Sequence, residues 1–187
     1  KHSWLRDRPM VIYTGTLGRV NGVGYFVKLA VEAQRIDPEV RFVVIGDGIE
    51  ANEIKNAASE AGVLGSNFFM MPSMPKTEVA NWLAAADIST SLVINIPELW
   101  KNSANKFFDS LAAGVPIAIN YGGWQADLIN ESGAGLVLDP LDISSSARAL
   151  IKALRDEHWK KRASQAANQL ALDKFNREKL ADQFEQV

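Results

Sequence analysis

Short apolar runs that close on glycine or proline alternate with stretches of helical periodicity along this chain, and that alternation restricts its fold more than any other feature. Met10-Val11-Ile12-Tyr13 ends at Thr14-Gly15-Thr16, and apolar residues then recur at Phe26, Leu29, Ala30 and Ala33, which is helical spacing. Asp37-Pro38 stops that helix, and Arg41 to Ile45 forms a second strand running into Gly46-Asp47-Gly48. A helix from about Glu50 to Ala61 follows. Asn67 to Met71 reads as a third strand, Pro72 to Pro75 as an irregular loop and Lys76 to Ala86 as a helix. Asp87 to Val93 is the fourth strand, and Ile94 to Asn102 is a long loop, a class that carries function more often than most.

A helix beginning near Asn105 leads through Gly114 and Pro116 into strand Ile117 to Asn120. Beyond Tyr121-Gly122-Gly123-Trp124 come a helix to Asn130, a last strand from Gly135 to Leu138, and a helix that Asp142 with Ser145 can cap. The segment from about His158 to Val187 is an amphipathic, mostly helical tail. Trp82 and Trp159 sit at helical spacing, as packing residues do. Strands and helices alternating six times predict an α/β fold: one doubly wound, Rossmann-like parallel sheet covered on both faces, over residues 1–187. Its ligand belongs at the carboxyl ends of the strands.

The helix near Asn105 carries the strongest chemical signal. Asn102 or Ser103 can cap it, leaving N–H groups and a positive dipole end that suit a phosphate. Lys106 adds a full charge in the first turn. Asp109 lies about 6 Å beyond Asn105 along the axis, on nearly the same face, an offset that suits a ribose beside a diphosphate. A bare Lys106–Asp109 surface pair is the alternative. Gly15, Gly46 and Gly48 either end strands tightly or admit a nucleotide.

Composition narrows the partners. With 20 basic and 22 acidic residues, a net charge of -2 exerts no overall pull on nucleic acid or anionic lipid, so any phosphate is held locally. The absence of cysteine excludes a disulfide framework, a cysteine nucleophile and thiolate metal sites, and fits a reducing compartment. No Asp-X-Asp pair points to a metal–diphosphate site, and neither His2 nor His158 has a catalytic constellation around it. The opening residues, Lys1 to Arg8, hold no apolar signal core and no initiator Met, so the chain reads as part of a longer protein.

Five motifs then fall in one order: Tyr13-Thr14-Gly15-Thr16-Leu17, Val44-Ile45-Gly46-Asp47-Gly48, Asn105 through Pro116, Gly122-Gly123, and Gly133 to Val137. In them the chain resembles the C-terminal, donor-binding half of a GT-B glycosyltransferase, closest to family 4 and its bacterial capsule and lipopolysaccharide members. The resemblance implies retaining, metal-independent transfer of a sugar, without cofactor, from a uridine or guanosine diphosphate donor to a glycan or lipid-linked acceptor. It implies a cytoplasmic protein, at the inner membrane face when whole, with an N-terminal acceptor domain absent from this chain. Asp109 would hold the ribose, the turn Ala104, Asn105, Lys106, Phe107 the diphosphate, and Met71, Pro72, Ser73 the base. Gly15, Thr16, Gly46, Asp47 and Gly48 would border the nucleotide, with Lys106 and Asp109 as the catalytic pair.

The pattern has departures. Family members often carry an acid eight residues before the ribose acid, where Lys101 stands, with Glu98 eleven before. Thr16 and Asn21 occupy positions that often hold Arg and Lys, so Arg19 or Lys106 supplies the cation, Lys106 being favoured. Three other readings remain: an epimerase or hydrolase half on the same fold, a non-catalytic nucleotide-binding or assembly module, and a dinucleotide dehydrogenase, disfavoured because no Gly-X-Gly-X-X-Gly turn is present.

Overall fold

The computed structural model describes residues 2–176. Each apolar run becomes a strand because β-branched and aromatic side chains fit a pleated surface covered on both sides. The strands are β1 (Met10–Thr14), β2 (Arg41–Ile45), β3 (Phe68–Met71), β4 (Ile88–Ser91), β5 (Ile117–Ile119) and β6 (Gly135–Val137). The helices are α1 (Gly24–Ile36), α2 (Ala51–Glu60), α3 (Lys76–Ala84), α4 (Asn105–Ala112), α5 (Trp124–Ser132), α6 (Ile143–Arg155) and α7 (Glu157–Lys174). Short 3₁₀ turns occupy Arg19–Asn21 and Pro97–Lys101.

The sheet is parallel throughout, in the order β3-β2-β1-β4-β5-β6. The order reverses direction between β1 and β4, so the connections leaving these two neighbours diverge and open a crevice at their carboxyl ends. Side-chain alternation sorts the core. Val11 and Tyr13 join Phe26, Leu29, Leu150 and Leu154 under α1 and α6, whereas Met10 and Ile12 join Val43, Ile45 and Leu83 under α3. Ile117 and Ile119 pack with Phe107, Leu111, Ala167 and Leu170 between α4, α5 and α7.

Local chemistry sets the helix ends. The Asp142 carboxylate accepts from the Ser145 N–H at 2.8 Å, as the sequence predicts, and Asp156 caps α7 through the Trp159 N–H. α7 occupies the start of the expected tail and buries Ala163, Ala167 and Leu170; the part of that expectation covering Leu180 and Phe184 lies outside the described residues. Trp159 is partly buried against the α1–α6 core, and Trp82 stacks on Trp4. β4 is shorter than its apolar run, because Leu92 and Val93 leave the ladder. Asn120 then bridges that segment, accepting from the Val93 N–H at 2.9 Å and donating to its carbonyl at 3.0 Å. Among the described residues no helix is long and apolar enough to cross a membrane.

Candidate nucleotide-binding site

Helix α4 opens differently from its sequence expectation. Neither Asn102 nor Ser103 is the cap: Ala104 holds that position in extended backbone, and no side chain bonds the first turn. Asn102 acts one residue earlier, its Oδ1 accepting from the Ala104 N–H at 3.2 Å while its Nδ2 donates to the Leu99 carbonyl at 3.1 Å. It therefore orders the approach to the helix and leaves the end uncovered. The Phe107 N–H bonds back to the Ala104 carbonyl at 3.0 Å. The N–H groups of Asn105 and Lys106 have no partner among the described residues, which makes this end a positive, donor-rich terminus.

Lys106 sits above the carboxyl end of β1. Its Nζ donates to the Tyr13 hydroxyl at 2.9 Å and lies 4.4 Å from the ring centroid. That hydroxyl also accepts from Asn21 Nδ2 at 3.1 Å and donates to the Thr16 carbonyl at 2.7 Å, so its hydrogen-bonding capacity is filled. Burial lowers the lysine to about 8 and raises the Tyr13 phenol to about 12, so Tyr13 stays neutral. No carboxylate pairs with Lys106 among the described residues, and the surface pair with Asp109 does not form. A partly desolvated cation without a counter-ion calls for an anion from outside the chain.

The two glycine turns form the floor. Gly15 N–H donates to the Ile45 carbonyl and Leu17 N–H to the Asp47 carbonyl, both at 2.9 Å, which locks the loop after β1 to the loop after β2. A Cβ on Gly46 would stand 1.9 Å from the Gly15 carbonyl oxygen, and one on Gly48 would stand 2.4 Å from that of Leu17. These glycines are thus required by backbone contact between turns. Gly15 instead faces the lysine: its absent Cβ would lie 3.4 Å from Lys106 Cε.

The walls enclose a cavity of about 540 Å³. Gly15, Thr16, Gly46, Asp47, Ser73, Ala104, Asn105, Lys106 and exposed Asp109 all line it, and these are the sequence-predicted residues that tertiary structure brings together. Gly48, Met71, Pro72 and Phe107 do not line it. Gly48 lies against Leu17, and the Met71 carbonyl accepts from Gly46 N–H. The Phe107 side chain is fully buried in the α4–α5–α7 core.

Sequence reasoning missed Lys76, a second cation on the cavity wall. Its signal was present: Lys76 opens α3 after Pro75, a lysine in a helix's first turn, which is what singled out Lys106. Arg19, the other candidate cation, faces a separate cavity of about 360 Å³ where Lys28, Glu50 and Glu53 give mixed charge. Trp100, in the long loop, covers Gly122, where a Cβ would stand 3.0 Å from its ring.

This combination of doubly wound sheet and switch-point cavity is the architecture of the C-terminal domain of GT-B glycosyltransferases. The structure of Staphylococcus aureus TarM, solved with UDP among its ligands, superposes with a TM-score of 0.81 at 12% identity, covering 96% of this chain and 35% of that one. Sequence agrees: the chain belongs to the glycosyl transferases group 1 family, whose model matches residues 1–170. An alpha-D-kanosaminyltransferase of Streptomyces kanamyceticus is 23% identical over 189 residues, covering 96% of this chain and 45% of that protein. A lipopolysaccharide core biosynthesis glycosyltransferase, LpsE of Rhizobium meliloti, is 24% identical over 181 residues, covering 97% and 50%. The chain spans about half the length of these curated relatives.

Proposed function

We propose that this chain is the nucleotide-sugar donor-binding domain of a retaining, metal-independent hexosyltransferase acting in surface polysaccharide or glycoconjugate synthesis. The observation that carries the reading is Lys106, an uncompensated cation beside two unpaired N–H groups on the rim of a 540 Å³ cavity. TarM, solved with UDP, and LpsE, named for lipopolysaccharide core biosynthesis, supply parallels.

The diphosphate binds at the α4 N-terminus, where Lys106 and the N–H groups of Asn105 and Lys106 offset its charge. As the bond between the anomeric carbon and the diphosphate oxygen breaks, charge grows on that oxygen, and the same preformed donors stabilise it without a metal or other cofactor. Asp109 accepts from the ribose hydroxyls, and Ser73 borders the base. The acceptor, a glycan or lipid-linked saccharide, is held by a second domain across the cleft. The whole protein works in the cytoplasm at the inner membrane face, and this chain alone binds nucleotide without turnover.

Calorimetric titration with uridine and guanosine diphosphates tests the reading. Binding of one of them, lost in Lys106→Met, supports it; no binding of either at millimolar concentration overturns it.

A further inference from the structure

At Lys106 a smaller recess of about 150 Å³, which Asp109 does not line, adjoins the main cavity. The two share Asn21, Ala104 and Lys106, so a ligand bridging the α4 N-terminus reaches both. The recess is far below the roughly 300 Å³ at which whole-ligand sites begin, and therefore accommodates one part of a ligand.

Its remaining walls are Val20, Leu92, Val93, Leu99 and Asn102. Most of the polar atoms there are engaged once a diphosphate is held at the α4 N-terminus. Both ends of the Asn102 amide bond backbone, at Leu99 and Ala104. Asn21 Nδ2 donates to the Tyr13 hydroxyl, and Lys106 Nζ divides its donors between that hydroxyl and the diphosphate. Leu92 and Val93 are 2% and 7% exposed and form an apolar base, while Val20, 54% exposed, stands as an apolar rim.

A diphosphate has two ends. Asp109 and Ser73 line only the main cavity, so the nucleoside end lies there and the sugar end turns toward the recess. A hydroxyl pressed onto these four apolar side chains would lose its water and gain no partner, at a cost of about tenfold in affinity or more. A methyl group in the same place avoids that cost.

We propose that this recess is the donor-sugar subsite and selects a sugar that turns a methyl group inward, over a fully hydroxylated hexose. The methyl is either C6 of a 6-deoxyhexose or the acetyl methyl of a 2-acetamido sugar. The proposal rests on the donor-binding reading above.

The test is calorimetry on this chain with matched donors: UDP-glucose, UDP-6-deoxyglucose and UDP-N-acetylglucosamine, and GDP-mannose against GDP-6-deoxymannose, each referenced to its free diphosphate. A methyl-bearing donor is expected to bind about tenfold tighter than its hydroxylated counterpart, and the 6-deoxy and acetamido arms identify which methyl is used. Val20→Ser, at an exposed position, and Leu99→Ser, checked for an unchanged melt, are expected to bring the ratio close to one while diphosphate affinity stays as in the parent. Equal or tighter binding of the hydroxylated hexose overturns the proposal, as does a methyl preference that survives both substitutions. If no diphosphate binds, the donor-binding reading falls and takes this proposal with it; diphosphate binding without methyl preference removes this proposal alone.

Discussion

Lys106→Met keeps a long unbranched side chain on α4 and removes the ammonium, which makes it a direct probe of the buried charge. Burial lowers this lysine from its ordinary 10.5 to about 8 in the folded chain. A difference of about 2.5 pH units corresponds to at most about 3 kcal/mol that folding loses at neutral pH by holding the charged form. Below pH 8 both states carry the proton and the full penalty is present. Between pH 8 and 10.5 the unfolded chain binds more protons than the folded one, so native stability rises with pH. Tyr13, Tyr25 and Tyr121, each raised to about 12 by burial, reverse that trend above pH 10, where the unfolded chain begins to ionise. The clean window is therefore pH 8 to 10, over which the parent gains about 2 kcal/mol relative to Lys106→Met. For a chain of this size that is about 4 to 8 °C in Tm. Paired thermal melts at half-unit pH steps read the difference. Parallel curves for the two proteins across this window would refute the account of Lys106 as a desolvated, unpaired cation. Saturating diphosphate reverses the effect by restoring the proton, so calorimetry at pH 9 in two buffers of different ionisation enthalpy should register proton uptake in the parent and none in the variant.

Asp109→Ala is expected to lower nucleoside diphosphate affinity about tenfold while leaving inorganic pyrophosphate affinity and the melt unchanged, because Asp109 is exposed and, in the proposed binding mode, meets the ribose alone; equal losses for both ligands would place it on the phosphates. Gly46→Ala puts a Cβ 1.9 Å from the Gly15 carbonyl oxygen and should cost about 3 kcal/mol or more, whereas Gly62→Ala, with open space and a φ of +71°, should cost only about 1. Chemical denaturation of the two variants compares these costs. Arg155 holds Asp37 through two hydrogen bonds of 2.7 and 3.0 Å and keeps that carboxyl below its ordinary range. The stability it adds is present above the unfolded carboxylate pKa and is lost as pH falls through the folded one. Arg155 is half-exposed, so Arg155→Ala should cost under about 1 kcal/mol at pH 7 and flatten the acid limb of a stability profile.

Much of the architecture is legible along the chain. The repeated exchange of strand-like runs for helical spacing is a local property, settled by side chains one to four residues apart, and it identifies six strands, their intervening helices and the parallel class of the sheet. The same local chemistry singles out the α4 N-terminus, since a helix end exposes donors wherever it stands. What the linear order does not contain is which distant groups meet. Tyr13 lies 93 residues before Lys106, and only the pairing of β1 with β4 sets its hydroxyl and ring beneath the ammonium. That contact takes Lys106 away from Asp109, whose spacing alone allowed a surface pair. Gly46 and Gly48 look like nucleotide glycines in sequence, but the approach of the Gly15–Leu17 turn gives them a packing reason to be glycine. Lys76 joins the site because α3 follows β3 at the same sheet end. Short-range sterics and hydrogen bonding choose each element, and so the sequence alone determines the elements and their class. Burial, charge pairing and the shape of the cavity depend on contacts across tens of residues, which exist only once the sheet has closed its order.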